Sequence, residues 1–294
     1  MTPPETETET ASGEGGETRT LYGSPEELPE PAREALGDLL LVLADTKRVL
    51  GIHYADWILG SPTLEAGIAC SAMAQDEWGH GRILYAMLDD FGMDPERLEH
   101  ERGPSEYRSS ELLDEPTDSW PELLALNLLL DTALSVQIEA MRESRLEPLH
   151  HKVSKILDEE RYHFEHARGW TARMASTDRG REATGEPFRE AWRACLRWFG
   201  SEEDELASGL AAEGIVDAAP GELRRRWVMR VAPSVAEVEP HLVQETEDGW
   251  GSAVDPDWEG WEPRTRRLRD APGPDDEAIL SRVRGDRNRS LLGE

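Results

Sequence analysis

Lysine and cysteine are the scarce residues of this 294-residue chain. Two cysteines, Cys70 and Cys195, make neither a disulfide framework nor a thiolate metal site, and they fit a reducing cytoplasm. Only three of the 32 basic residues are lysines, Lys47, Lys152 and Lys155, and 61 acidic residues oppose them. A net charge of −29 excludes DNA, RNA and anionic lipid as partners, because all of these bind through cationic patches. Apolar runs such as "LLALNLLL" are too short to cross a bilayer, so no membrane span is expected. The opening "MTPPETETETASGEGGETRT" lacks the basic flank and apolar run of a signal peptide. A soluble, cytoplasmic protein follows as the expectation. There is no alternating strand pattern, no Asn-Gly hairpin signal, no cysteine pattern for an iron–sulfur cluster and no Gly-rich nucleotide fingerprint.

Acid is present throughout. It continues from the tails into the helical body, which points to a halophilic setting where carboxylates hydrate the surface and salt screens their repulsion. Residues 1–23 are Thr/Glu/Gly-rich and read as a disordered acidic tail. Residues 24–238 read as one all-α domain, a four-helix bundle with additional C-terminal helices. The long helices are expected over about Pro31 to Leu59, Leu64 to Asp90, from Asp118 or Ser119 onward, and Glu147 to about Ala175. Shorter ones follow near Pro187 to Phe199, Glu202 to Ala212 and Gly221 to Val231. Residues 239–294, rich in Gly, Pro and Asp, read as an extended tail with a helix at "DDEAILSRVRG".

Chemistry concentrates on inward stripes. Glu-x-x-His is expected about once by chance in so acidic a chain, and it occurs three times. The pair Glu147/His150 lies at a helix start beside Pro148 and can face solvent. The other two share faces with apolar residues: Met73, Glu77, His80 and Leu84 on one helix, Val153, Leu157, Glu160, His163 and Trp170 on another. Asp131 lies on the third helix's stripe with Leu124, Leu128, Leu134 and Ile138. Burying three acids and two imidazoles costs several kcal/mol per unpaired charge, so something cationic must compensate. A pair of divalent metals does this in four-helix bundles, and imidazole with carboxylate suits iron or manganese. A metal-free network, with protonated histidines and a lysine balancing the acids, is the alternative.

The segment "SPTLEAGIACSAMAQDEWGHG", with "LLLDTALSVQIEAM" and "LDEERYHFEHARGW", resembles the catalytic ferritin-like subunit (PaaA) of phenylacetyl-CoA epoxidase, in the phenylacetic acid catabolic family. By contrast, "LADTKRVLGIHYADWILG" and "GELRRRWVMRVAPSVAEV" resemble its non-catalytic partner, PaaC. The resemblance covers about Leu40 to Val238. It implies a subunit of a multicomponent ring 1,2-epoxidase that takes electrons from a separate reductase, uses O₂ at non-haem iron and acts on phenylacetyl-CoA beside other epoxidase subunits. Whether this chain is an oxygenase component or a structural subunit with a relic site stays open, and ferritin-like metal storage or redox protection is a further alternative. The implied metal ligands are Glu77, His80, Asp131, Glu160 and His163, with Asp76 placed to orient a histidine through its ring N–H.

One position departs from the family. The first-helix glutamate expected thirty residues before Glu77 falls on Lys47, which lies on the inward stripe, whereas Asp45 and Asp56 point away. Four carboxylates balance two ferrous ions. Three carboxylates and one ammonium sum to −2, which matches one divalent ion or two protonated histidines. Tyr54 and Tyr162 read as core or rim packing, with redox-active neighbours of the site as the alternative, and Trp57, Trp78 and Trp170 read as core.

Overall fold

The computed structural model describes residues 21–284; the tail read over the first residues lies, up to residue 20, outside the described residues. Helix α1 (Glu30–Asp56) turns into α2 (Leu64–Leu88) where Thr63 caps the second helix, its side chain accepting from the Ala66 N–H. The two helices pack closely because Gly51 faces Trp78: a Cβ at 51 would come within 2.4 Å of the indole nitrogen. A long crossover containing α3 (Pro95–His100) then leads to the third long helix. Ser119 caps it, and its parts are α4 (Trp120–Ala125), a π-helical turn over Leu126–Asp131 and α5 (Thr132–Glu139). A short link joins it to α6 (Glu147–Ala175), completing two helical hairpins joined by one crossover.

The third helix is the centre of the molecule. Every residue from Leu123 to Ile138 is buried, because α6 covers one side while α7 (Asp178–Trp198) and α9 (Pro220–Val238) cover others. This corrects one expectation. The stretch Trp120–Glu139 is long and apolar enough to cross a membrane by length and composition, and 89% of its most apolar window is buried inside the protein. Its apolarity is that of a core helix enclosed on all sides. Helix α7 also begins earlier than expected and continues through Pro187, and α8 (Glu205–Ala212) lies against α1.

The C-terminal segment corrects a second expectation. Rather than running extended, it forms two short antiparallel hairpins, β1 (Val243–Thr246) with β2 (Gly249–Ser252), and β3 (Trp261–Glu262) with β4 (Arg267–Leu268). The first turns at Glu247-Asp248 into Gly249, whose φ of 121° is open to glycine and strained for other residues. Strand β2 packs on α9. The segment is tied down by charge: the buried Arg267 donates to Asp114 at 2.6 Å, and Arg264 pairs with Asp38 at 2.9 Å. The anticipated C-terminal helix is present as a π-turn over Asp276–Leu280 running into α10 (Ser281–Val283). At the other end Tyr22 is ordered, its N–H donating to the Arg145 carbonyl at 2.8 Å and its carbonyl accepting from the Glu147 N–H at 3.0 Å.

Candidate metal centre and its lysine

The bundle brings one residue of α1, two of α2, one of the π-turn and two of α6 to a single buried point. Lys47, Glu77, His80, Asp131, Glu160 and His163 are each at most 4% exposed. Helical spacing explains the pairs, since residues three apart share a face. The π-turn carries Asp131, where an extra residue in the turn sets the direction of its carboxylate within a helix that is apolar all round.

Lys47 occupies the middle of the set. Its Nζ donates to Glu160 Oε1 at 2.5 Å, Asp131 Oδ1 at 2.7 Å and Glu77 Oε1 at 2.9 Å. All three ammonium protons are thereby used, each on a carboxylate from a different element. The histidines close the cluster from outside. His163 Nδ1 lies 2.9 Å from Asp131 Oδ2 and 3.3 Å from Glu77 Oε1, while its Nε2 lies 3.3 Å from Asp76 Oδ2. His80 Nε2 lies 2.7 Å from Glu159 Oε2 and its Nδ1 3.1 Å from Glu160 Oε1. That last contact is close but misaligned, so it acts through charge rather than as a formed hydrogen bond. Both nitrogens of each ring therefore face carboxylate oxygens, an arrangement suited to imidazolium, which donates from both.

Charge follows geometry. Burial alone would drive Lys47 towards the neutral amine, but Asp131, Glu160 and Glu77 outweigh it and hold the ammonium well above the usual lysine range. Burial likewise opposes charging His163 and His80; Asp131 raises the first well above its ordinary value and Glu160 raises the second. Asp131 is held well below the usual range, since Lys47 and His163 outweigh its burial. Burial and the neighbouring Asp131 push Glu77 up to about 7 against the pull of Lys47. With both histidines charged and Glu77 ionised, three negative charges meet three positive ones and the core closes at zero.

Residues beyond the expected set complete it. Tyr54, anticipated as packing, donates its hydroxyl to Asp131 Oδ2 at 2.8 Å, and Asn127 donates to the Tyr54 oxygen at 2.8 Å. His166 Nδ1 is 3.1 Å from Asn127 Oδ1, so a chain of hydrogen bonds runs from the cluster to the His166 ring. Ser135 donates to Glu160 Oε2 at 2.6 Å. Asn127 and Ser135 sit four residues either side of Asp131, and Glu159 directly precedes Glu160; the first two were discoverable by spacing. Asp76 keeps a third of its side chain exposed while facing His163. Asp45 does point away: it is buried in a second network, accepting from Arg102 at 2.9 Å and Tyr85 at 2.6 Å. Asp56 pairs with Arg282. Tyr162 is 66% exposed, while Trp57, Trp78 and Trp170 pack at the edge of the core.

By mutual distance, one ligand atom each from Glu77, Asp131, Glu160 and His163 could hold a metal ion, all within 4.8 Å of one another. A pair of metals does not fit. The first helix offers an ammonium instead of a carboxylate, and that ammonium already bonds one oxygen of each of the three inner carboxylates. A single ion would compete with the Lys47 ammonium for the same carboxylates.

Four long helices with inward Glu-x-x-His pairs and a carboxylate between them define the ferritin-like class. Within it, the chain belongs to the phenylacetic acid catabolic protein family, whose profile (PaaA_PaaC) matches residues 20–253. It is similar to the PaaA polypeptide of 1,2-phenylacetyl-CoA epoxidase from Escherichia coli (strain K12), with 28% identity over 79% of this chain and 78% of that protein. It is also similar to the PaaC polypeptide of the same epoxidase and organism, with 27% identity over 70% of this chain and 83% of that one.

Proposed function

We propose that this chain is a non-catalytic subunit of a multicomponent phenylacetyl-CoA epoxidase in phenylacetate catabolism. In this reading it pairs with a related ferritin-like subunit that carries the iron, and a separate reductase supplies the electrons. The observation that supports it is the Lys47 ammonium bonded to all three inner carboxylates. Such an ion does by charge what a metal does elsewhere: it neutralises the buried acids and ties four helices together, without an open coordination position for O₂. Assembly with other subunits is supported by the two relatives, 28% and 27% identical to the chain, each of which is one polypeptide of the same epoxidase.

A second reading, a single-ion iron or manganese oxygenase component, draws on one atom. Glu77 Oε2 is buried and has no hydrogen-bond partner, as a ligand oxygen awaiting a metal would be. Anaerobic loading with Fe²⁺, followed by desalting and metal analysis, separates the two. The first reading expects well below one iron per chain, and Lys47→Glu, which restores a carboxylate on the first helix, is expected to raise that content towards two. One tightly held iron in the unmodified chain would instead establish the second reading.

A further inference from the structure

Between α5, α6 and α9 lies a cavity of about 310 Å³ that reaches down to the buried cluster. Leu157 and Phe164 of α6 form apolar wall, and Glu160 and Ser135 lie at the buried side. Those polar groups are already satisfied, Glu160 by Lys47 and by the Ser135 hydroxyl, so an apolar body covering them would orphan nothing. Thr132, 3% exposed, lines the same cavity with a hydroxyl that has no hydrogen-bond partner.

The open side is cationic, which is unusual on a chain of charge −29. Arg142, Arg161 and Arg230 all line it and are exposed. Arg230 is held by Glu139 at 2.5 Å. Among the described residues Arg142 and Arg161 have no carboxylate partner, and Arg161 only reaches the neighbouring Tyr162 hydroxyl at 3.2 Å. Two uncancelled guanidinium groups therefore stand over an apolar wall. Arginine forks match a carboxylate in two parallel hydrogen bonds.

Size narrows the ligand further. A cavity of roughly 150 Å³ accommodates a benzene ring, so 310 Å³ takes a ring, a short linker and a carboxylate within its walls. We propose that this cavity binds a small free carboxylic acid with a compact apolar body, its ring against Leu157 and Phe164 and its carboxylate at Arg142 and Arg161. The site would let the chain respond to a free arylalkanoic acid without catalysing its conversion.

Isothermal titration of the unmodified full-length chain with phenylacetate tests this, with the neutral isostere phenylacetamide and the thioester phenylacetyl-CoA as comparisons. The expected result is one saturable site for phenylacetate, about tenfold tighter than for the amide, in line with a charge-assisted hydrogen bond. The double variant Arg142→Gln/Arg161→Gln, altered only at exposed side chains, should lose about tenfold in affinity at unchanged melting temperature. Leu157→Trp should block binding by filling the cavity. Equal affinity for acid and amide, binding of the thioester alone, or unchanged affinity in the arginine double variant would each overturn the assignment. The isolated chain is measured without partners, so failure here would leave the proposed assembly untouched.

Discussion

Lys47→Met tests directly whether the ammonium holds the core together. Methionine keeps the apolar stem of lysine, ending one atom short of the Nζ position, but removes the charge and three hydrogen bonds, of 2.5, 2.7 and 2.9 Å, made by a side chain that is fully buried. Removing one partner of a buried ion pair costs about 3–5 kcal/mol, because the remaining charge is stranded. Here three carboxylates are left facing two imidazolium rings, so one negative charge is uncompensated, and the cost is limited by protonation: Glu77, already pushed up to about 7 beside the ammonium, would take up a proton once Lys47 is gone. A carboxyl whose folded pKa lies above its unfolded value stabilises the fold increasingly as pH falls between the two. The deficit of the variant should therefore be about 3–5 kcal/mol at pH 7.5 and shrink by about 0.5–0.8 kcal/mol at pH 5.5, because Glu77 of the unmodified protein, at about 7, also gains stability over that range. Urea unfolding followed by circular dichroism at both pH values, with m-values compared, measures this. A deficit under about 1 kcal/mol, or one independent of pH, would refute the view that the ammonium is the core's counter-ion.

Three other outcomes are expected. Burial lowers His53 to about 4, with its Nε2 near the Leu113 carbonyl at 3.3 Å, so unfolded chains protonate there near pH 6.5 while folded ones stay neutral. Stability should thus fall as pH drops from 6.5 towards 4, by about 2 kcal/mol at pH 5, and His53→Gln should lose that part of the slope in urea titrations. With 61 acidic against 32 basic residues, the melting temperature should rise markedly from low to molar KCl, as the screening length shrinks from about 10 Å at 0.1 M to 3 Å at 1 M; a flat response would remove the halophilic reading. Co-expression with a metal-bearing subunit of the same family should give a mixed complex by size exclusion with light scattering, and a lone monomer under those conditions would count against the assembly.

What the sequence by itself determined was periodic. Helix spacing placed Glu77 with His80 and Glu160 with His163 on inward faces, put Lys47 on the same inward stripe of the first helix, and turned Asp45 and Asp56 away. All of these placements depend only on the 3.6-residue repeat and on which side is apolar. On the third helix the same spacing put Asp131 inside with Leu124, Leu128, Leu134 and Ile138, but that helix is buried all round from Leu123 to Ile138, so spacing alone could not single out the face turned to the cluster or show the π-turn that carries Asp131. The hairpins of the C-terminal segment were missed because strands of two to four residues are too short to show alternation, with only Asp248-Gly249 as a turn signal. Tertiary structure alone decided that Lys47 reaches three carboxylates at once, that Glu159 and Asp76 back the two histidines, and that Tyr54 and Asn127 extend the network. Those contacts join residues up to 113 apart in sequence, and a 2.5 Å bond from Lys47 to Glu160 exists only once the helices that carry them have packed.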